Sequence, residues 1–177
     1  MPADVDQLRA VIAQADKHQE LLSAALLKLE SRIAELMATA PLRDGELFDL
    51  EWAIQARVEL REAIEQEYLA TVDRIVREYA GVADDIDAML GTYGDVTKLD
   101  PAIISQLQSL TFQGFDDLGQ NFLDSISKEI YESTLTGTSF AASVATIKQS
   151  VDSSLGRYAK QALHDGLMQF DAAVNTR

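Results

Sequence analysis

Apolar residues recur at alternating steps of four and three along the first forty residues of the chain. This spacing places them on one side of a helix and forms a heptad seam with a single polar member, Gln19. The seam consists of Leu8, Ile12, Ala15, Gln19, Leu22, Leu26, Leu29, Ile33 and Leu36. A helix from about Asp4 to Ala40 is roughly 50 Å long, and it cannot bury such a stripe alone.

A second apolar stripe follows after a short break. Residues 40–45, APLRDG, predict a turn, because proline disfavours helix in the residue before it and Asp-Gly favours turns. The next helix is predicted over residues 46–80, ended by Gly81, with Arg57 and Arg61 lying close to its seam. That seam consists of Leu47, Leu50, Ile54, Val58, Ile64, Tyr68, Val72, Ile75 and Tyr79. Two helices of similar length with a short connection predict an antiparallel hairpin.

The C-terminal half predicts three further helices. Asp100 and Pro101 fit the N-cap and first position of the third long helix. The apolar residues of this helix are Ile104, Leu107, Leu110, Phe115, Leu118, Phe122, Ile126 and Ile130. The segment 136–139 predicts a stop followed by a new start at Phe140, and a restart at 153–154 opens a final helix. That last helix carries Leu155, Tyr158, Ala162, Leu163, Leu167, Phe170 and Val174.

These elements predict an all-α fold, an elongated bundle without a sheet, since no stretch alternates with period two. We expect a long helical hairpin arm over residues 1–90, a hinge or linker over 91–99 and a C-terminal helical packing region over 100–177. Gly114 and Gly119 interrupt the third long helix. They either weaken it or permit the close approach of another backbone.

Composition and charge narrow the classes of partner. The chain has 177 residues and a net charge of −14, and 20 of its 29 acidic residues lie before residue 100. This balance argues against direct sequence-specific binding of nucleic acid and suits a basic protein partner. No apolar run approaches the ~20 residues that span a bilayer, so we expect no membrane partner. Cysteine is absent, which excludes disulfides, thiolate metal sites and a cysteine nucleophile.

Candidate catalytic and metal-binding residues form no recognisable site. His18 and His164 lack the Glu-x-x-His spacing of helical metal sites and are interpreted as solvated or edge residues. Asp84, Asp85 and Asp87 lack the ligand spacing of a calcium loop and suit a helix start. An acidic run is interpreted as a solvated helix surface: Glu59, Glu62, Glu65 and Glu67. We therefore expect no enzymatic activity, no cofactor and no metal.

Two features leave alternatives open. The heptad seam of the first helix either packs on the second helix of the same chain, which we favour, or joins two chains as a coiled coil. Trp52 and Phe48, at the opening of the second helix, either complete the hairpin core or anchor a partner. For this pair we favour the core.

Four C-terminal segments carry a family resemblance. They are LTFQGFDDLG from Leu110, IYESTLTGTSF from Ile130, SVATI from Ser143 and LGRYAKQALHDGLMQFDAAVN from Leu155. Together they resemble the minor head proteins of tailed bacteriophages of the Mu F type, also called head morphogenesis proteins. The resemblance covers residues 85–177. Residues 1–84 resemble the family only in their general character, which is that of long acidic helices. The chain departs from the family at its last residues, 175–177, where a compact C-terminal domain would begin, so no role of that domain is carried over.

The resemblance implies a non-enzymatic structural virion protein that aids head assembly and genome packaging or delivery. Its implied partner is a phage portal or capsid protein, with a homo-oligomer possible. Its implied location is the head interior or portal vertex, with the host cytoplasm during assembly. The expected partner-binding residues are Phe115, Leu118, Phe122, Tyr131, Phe140, Arg157, Tyr158 and Phe170. The alternatives are a coiled-coil adaptor and an acidic helical chaperone that binds a basic protein partner.

Overall fold

The computed structural model describes residues 2–91, 100–137 and 139–175, which form an all-α protein, as predicted. The helices are α1 (Pro2–Ala38), α2 (Leu50–Ala63), α3 (Ala70–Gly91), α4 (Pro101–Thr136), α5 (Phe140–Ser150) and α6 (Arg157–Asn175). Two π-helical turns, π1 (Ile64–Leu69) and π2 (Val151–Gly156), join α2 to α3 and α5 to α6 without a break. Within these ranges no helix is long and apolar enough to cross a membrane.

The first helix packs antiparallel to the continuous helix of residues 50–91, which confirms the predicted hairpin. Side-chain pairs along its length are Thr39 with Trp52, Arg32 with Gln66 and His18 with Glu78. Residue numbers rise along one helix as they fall along the other. The seam residues of α1 from Leu22 to Ile33 are buried in the core of the same chain. The heptad pattern is therefore satisfied within the chain, the alternative that the sequence favours.

The turn π1 changes which face of the second helix is buried. After the turn, the buried residues follow the predicted seam through Tyr68, Val72, Ile75 and Tyr79. Before it, the buried residues of α2 are Ala53, Ala56, Leu60 and Ala63. These lie one position earlier than a continuous α-helix would place them. A π-turn accommodates one extra residue, which rotates α2 by about 100° relative to α3.

The rotation makes part of the predicted seam wrong. Leu50, Ile54 and Val58 are exposed large apolar residues rather than core residues. It also removes an anomaly of the sequence, because Arg57 and Arg61 no longer lie at the seam. Arg57 instead reaches α4, where it donates to the Asp124 carboxylate at 2.8 Å.

The turn π1 packs closely against α4. The hydroxyl of Tyr68 donates to the Phe115 carbonyl oxygen at 2.9 Å, and burial raises the pKa of this phenol. A Cβ atom at Gly119 would lie 3.2 Å from the Tyr68 ring. At Gly114 a Cβ would meet nothing within 4 Å. Gly119 therefore permits the close approach of the Tyr68 and Ile64 side chains rather than of another backbone, and Gly114 has no such contact.

The C-terminal helices share one core with the N-terminal helices. Helix α4 packs on α2 and α3, and α6 packs on α1, α3 and α4. Buried apolar residues from both predicted regions form a single cluster. Most of the predicted hinge, residues 92–99, lies outside the described residues. The division of the chain into regions 1–90 and 100–177 stays a prediction.

Helix ends match the sequence where caps are specific. Asp100 accepts a hydrogen bond from the Ala102 amide at 2.9 Å, with proline at the next position, as predicted. Gly137 ends α4 in the left-handed conformation at φ 66°. The predicted end at Gly81 is wrong, since α3 continues through it to Gly91. The restart at residues 153–154 is also wrong, because π2 keeps the helix continuous.

The link between α1 and α2 is a small β-hairpin, which the sequence did not predict. Its strands β1 (Leu42–Arg43) and β2 (Glu46–Leu47) are antiparallel, and Asp44 and Gly45 form the turn with positive φ angles. Strands of two residues are too short to show an alternating pattern. Helix α2 therefore starts at Leu50 rather than at residue 46, with Asp49 as its N-cap.

Candidate partner-binding surface

Three of the residues expected to bind a partner lie in the core instead. Phe115, Phe122 and Phe140 are buried, and of these Phe122 also contributes to the lining of an open groove. Phe140 meets the Trp52 ring edge-on, with 6.1 Å between centroids. Periodicity marks an apolar face but does not say whether the same chain or a partner covers it. Here the chain covers these three residues itself.

The other expected residues divide by exposure. Leu118 and Tyr131 are half-buried, whereas Arg157 and Tyr158 are exposed. Tyr158 keeps 51% of its surface exposed, although it belongs to the apolar series predicted for the last helix. The side chain of Phe170 lies outside the described residues.

Leu118 and Tyr158 line the same open groove between α4 and the π2 turn. Its volume is about 260 Å³. The lining residues are Leu118, Asn121, Phe122, Ser125, Ser150, Ser154, Leu155 and Tyr158. The groove holds apolar carbons, hydroxyls and one amide, and its one ionisable side chain is the Tyr158 phenol. It can therefore take an apolar or neutral polar side chain of a partner.

A second hollow, between α1 and α2, contains charged groups without a catalytic arrangement. It is lined by Arg32, Glu35, Leu36, Thr39, Glu59, Leu60 and Ala63. Arg32 at its edge donates to the Gln66 side chain at 2.8 Å and lies 3.4 Å from the Glu67 carboxylate. In the described part of the chain no group of His, Cys, Asp and Glu could hold a metal ion.

His18 is the polar residue whose environment differs most from the expectation. The sequence predicts a solvated or edge residue, but the structure buries the imidazole completely, at 0% exposure. Its Nε2 lies 2.8 Å from the Glu78 carboxylate, and its ring centroid lies 5.8 Å from that of Tyr79. Gln19, the predicted polar member of the seam, is exposed, and the neighbouring His18 takes the buried position towards α3. By contrast, His164 is exposed, as expected.

The pair of His18 and Glu78 leaves one imidazole nitrogen unsatisfied. The Glu78 carboxylate also accepts from the Gln14 amide at 2.8 Å. The same carboxylate oxygen of Glu78 accepts hydrogen bonds from both Gln14 and His18 when Nε2 of His18 carries the proton. The other ring nitrogen, Nδ1, is buried and has no hydrogen-bond partner among the described residues. The ring is enclosed and the carboxylate is partly exposed. Their hydrogen bond joins α1 to α3.

The Glu78 contact makes stability depend on pH. Its hydrogen bond with His18 is the main cause that lowers the Glu78 pKa from 4.5. A carboxyl whose pKa is lower in the folded chain stabilises the fold above the unfolded value, and this contribution is lost as pH falls through the folded value. We therefore expect Glu78→Gln to be less stable than the wild type near neutral pH, with the difference shrinking below about pH 4.5.

Urea denaturation at several pH values measures this difference. The matched control is Glu59→Gln, which removes an exposed carboxylate that makes no hydrogen bond within the described part of the chain. A gap between wild type and Glu78→Gln that widens on acidification would contradict the assignment of the lowered pKa to this contact.

A surface that the sequence did not predict lies on α2. Leu50, Ile54 and Val58 are spaced by four residues, so they form one ridge on the same side of the helix. Each is exposed, as is Phe48 just before the helix. Phe48 was expected in the core, but it lies beneath the Arg43 guanidinium, 4.7 Å from the ring centroid. Trp52, its companion in that expectation, is half-buried and packs against the core.

Comparisons of this chain with protein-family models, with curated proteins and with solved structures found no match.

Proposed function

We propose that this chain is a non-enzymatic structural protein of a tailed-phage virion, a minor head protein that acts by contact with a portal or capsid protein. The resemblance of the four C-terminal segments supports this role. On this proposal the protein lies in the head interior or at the portal vertex, and in the host cytoplasm during assembly.

The observation that carries the proposal is the groove at Leu118 and Tyr158. Both residues belong to the segments that carry the resemblance, and both remain accessible after the helices have packed. An open groove with apolar and hydroxyl lining suits one inserted side chain of a partner. The net charge of −14 also disfavours unproductive contact with packaged DNA, because like charges repel.

Co-expression with the portal protein encoded nearest to this chain tests the proposal. We expect the chain to co-elute with the portal ring, and Tyr158→Asp to reduce the retained chain by about tenfold, since a charge would enter the groove. Met168→Asp is the matched control, because Met168 is similarly exposed on α6 and does not line the groove.

Two outcomes would contradict the portal-binding role. One is a portal ring that elutes without the chain. The other is equal retention of the wild type and Tyr158→Asp, which would show that the groove takes no part.

An acidic helical chaperone for a basic protein is the second candidate function. The exposed ridge on α2, which lies beside glutamates, favours it. The coiled-coil adaptor has less support, because α1 residues from Leu22 to Ile33 are covered by the chain's own helices.

A further inference from the structure

The ridge on α2 is an apolar surface that the fold leaves exposed to solvent. Leu50, Ile54 and Val58 would continue the buried seam of α3 if residues 50–91 formed an uninterrupted α-helix. The turn π1 rotates them away from the core, and the core side of α2 is filled mainly by alanines. Exposing such residues costs free energy relative to burying them. π-Turns of this kind recur at functional sites.

Charged residues border the ridge unevenly. Glu51 and Glu62 stand beside Val58 on one edge, at helical spacings of seven and four. Both are exposed, and neither makes an ion pair within the described part of the chain. On the other edge, Arg57 is paired with Asp124 at 2.8 Å, which leaves Arg61 as the base beside the ridge. The unpaired charge next to the ridge is therefore mainly negative.

This charge pattern selects among possible occupants. A second copy of the chain would bring its own −14 charge and its own ridge glutamates to the contact. Like charges placed together across an interface are unfavourable. A partner helix with an apolar face and a basic edge meets both features of the surface. An i, i+4, i+8 row also fits the groove of a crossing helix.

We propose that the α2 ridge of Leu50, Ile54 and Val58 is a docking site for a basic amphipathic helix of a partner protein. The apolar row packs against the partner helix, and Glu51 and Glu62 pair with lysine or arginine on its edge. This inference needs a protein partner but neither a portal nor a capsid. It concerns a surface separate from the Tyr158 groove, so the two proposals can fail independently.

A synthetic peptide of about 18 residues, five helical turns, with leucine on one face and lysine on the other, tests the site. Its binding to the full chain is measured by fluorescence anisotropy. We expect Ile54→Gln with Val58→Gln to weaken binding about tenfold or more. Glu51→Gln with Glu62→Gln should weaken it several-fold and reduce its dependence on salt, because two charge pairs are lost.

The control variant is Leu110→Gln with Leu135→Gln, which changes two exposed apolar residues of α4. Unchanged binding by this control, together with loss in the α2 variant, supports the site. A peptide with the same composition in scrambled order should bind more weakly, because it has no apolar face.

Three results would overturn the proposal. The first is equal binding by the wild type and the Ile54/Val58 variant. The second is an equal loss in the α4 control, which would indicate nonspecific binding of the peptide to exposed apolar residues. The third is a concentration-dependent dimer of the wild type that the Ile54/Val58 variant abolishes, which would assign the ridge to a second copy.

Discussion

Leu29→Ala is expected to lower the free energy of unfolding by about 3 kcal/mol, whereas Leu27→Ala should change it by less than about 0.5 kcal/mol. The two leucines lie on the same helix, two positions apart. Leu29 is 0% exposed and Leu27 is 68% exposed. Truncating Leu29 removes buried methyl groups and leaves a cavity between α1 and the helices around it, whereas truncating Leu27 removes atoms already in contact with water.

Urea denaturation of both variants, followed by circular dichroism, measures the difference. The comparison also tests how the heptad seam is used. If Leu29 contributed to a coiled coil between chains, the loss would depend on protein concentration. A concentration-independent loss of several kcal/mol is the result expected for a seam buried within one chain.

Phe140→Ala should destabilise the chain by about 3–4 kcal/mol, and Tyr158→Ala should have an effect close to zero. Phe140 is buried at the start of α5 and packs edge-on against Trp52. Its backbone amide also bonds to the Gly45 carbonyl at 3.1 Å, so the same residue links α5 to the turn of the β-hairpin. Tyr158 keeps 51% of its surface exposed, so its truncation removes little buried area.

Thermal unfolding and portal retention together distinguish the core role of Phe140 from the proposed partner-binding role of Tyr158. Phe140→Ala should melt at a lower temperature, and Tyr158→Ala should melt like the wild type but lose retention on the portal. The assignment of Phe140 to the core would be refuted by a variant that keeps wild-type stability. Both aromatics were predicted as partner-binding residues, so the pair measures how far that expectation holds.

Local signals in the sequence predicted much of the fold. Asp100 and Gly137 act through short-range chemistry, a side-chain cap and a positive φ angle, and both ends of α4 lie where they were expected. The seam of α1 is confirmed from Leu22 to Ile33, because apolar residues at a constant helical period mark one face. It is wrong at Gln19, which is exposed while His18 is buried. The helix end predicted at Gly81 is wrong, because the cost of one exposed glycine, about 1 kcal/mol, is small beside the packing of a long helix.

The candidate sites were harder to predict because they depend on the register between helices. The π-turn at residues 64–69 has no residue signature, and it reverses the exposure of Leu50, Ile54 and Val58. A hint was present in Arg57 and Arg61, which fitted the seam poorly. His18 was misjudged because a polar residue beside an apolar seam can be buried when its partner, here Glu78, lies sixty positions away.

The extra residue held in the π-turn also suggests how the outward ridge of α2 could be gained or lost. Shortening that turn by one position would swing the opening of the helix by about 100° and bring Leu50, Ile54 and Val58 inward. No codon of the ridge itself would need to change. Deletion of one codon within the π-turn would thus bury a face of α2 that is now exposed. Natural variation in this surface is therefore to be sought in length differences among related sequences as much as in substitutions.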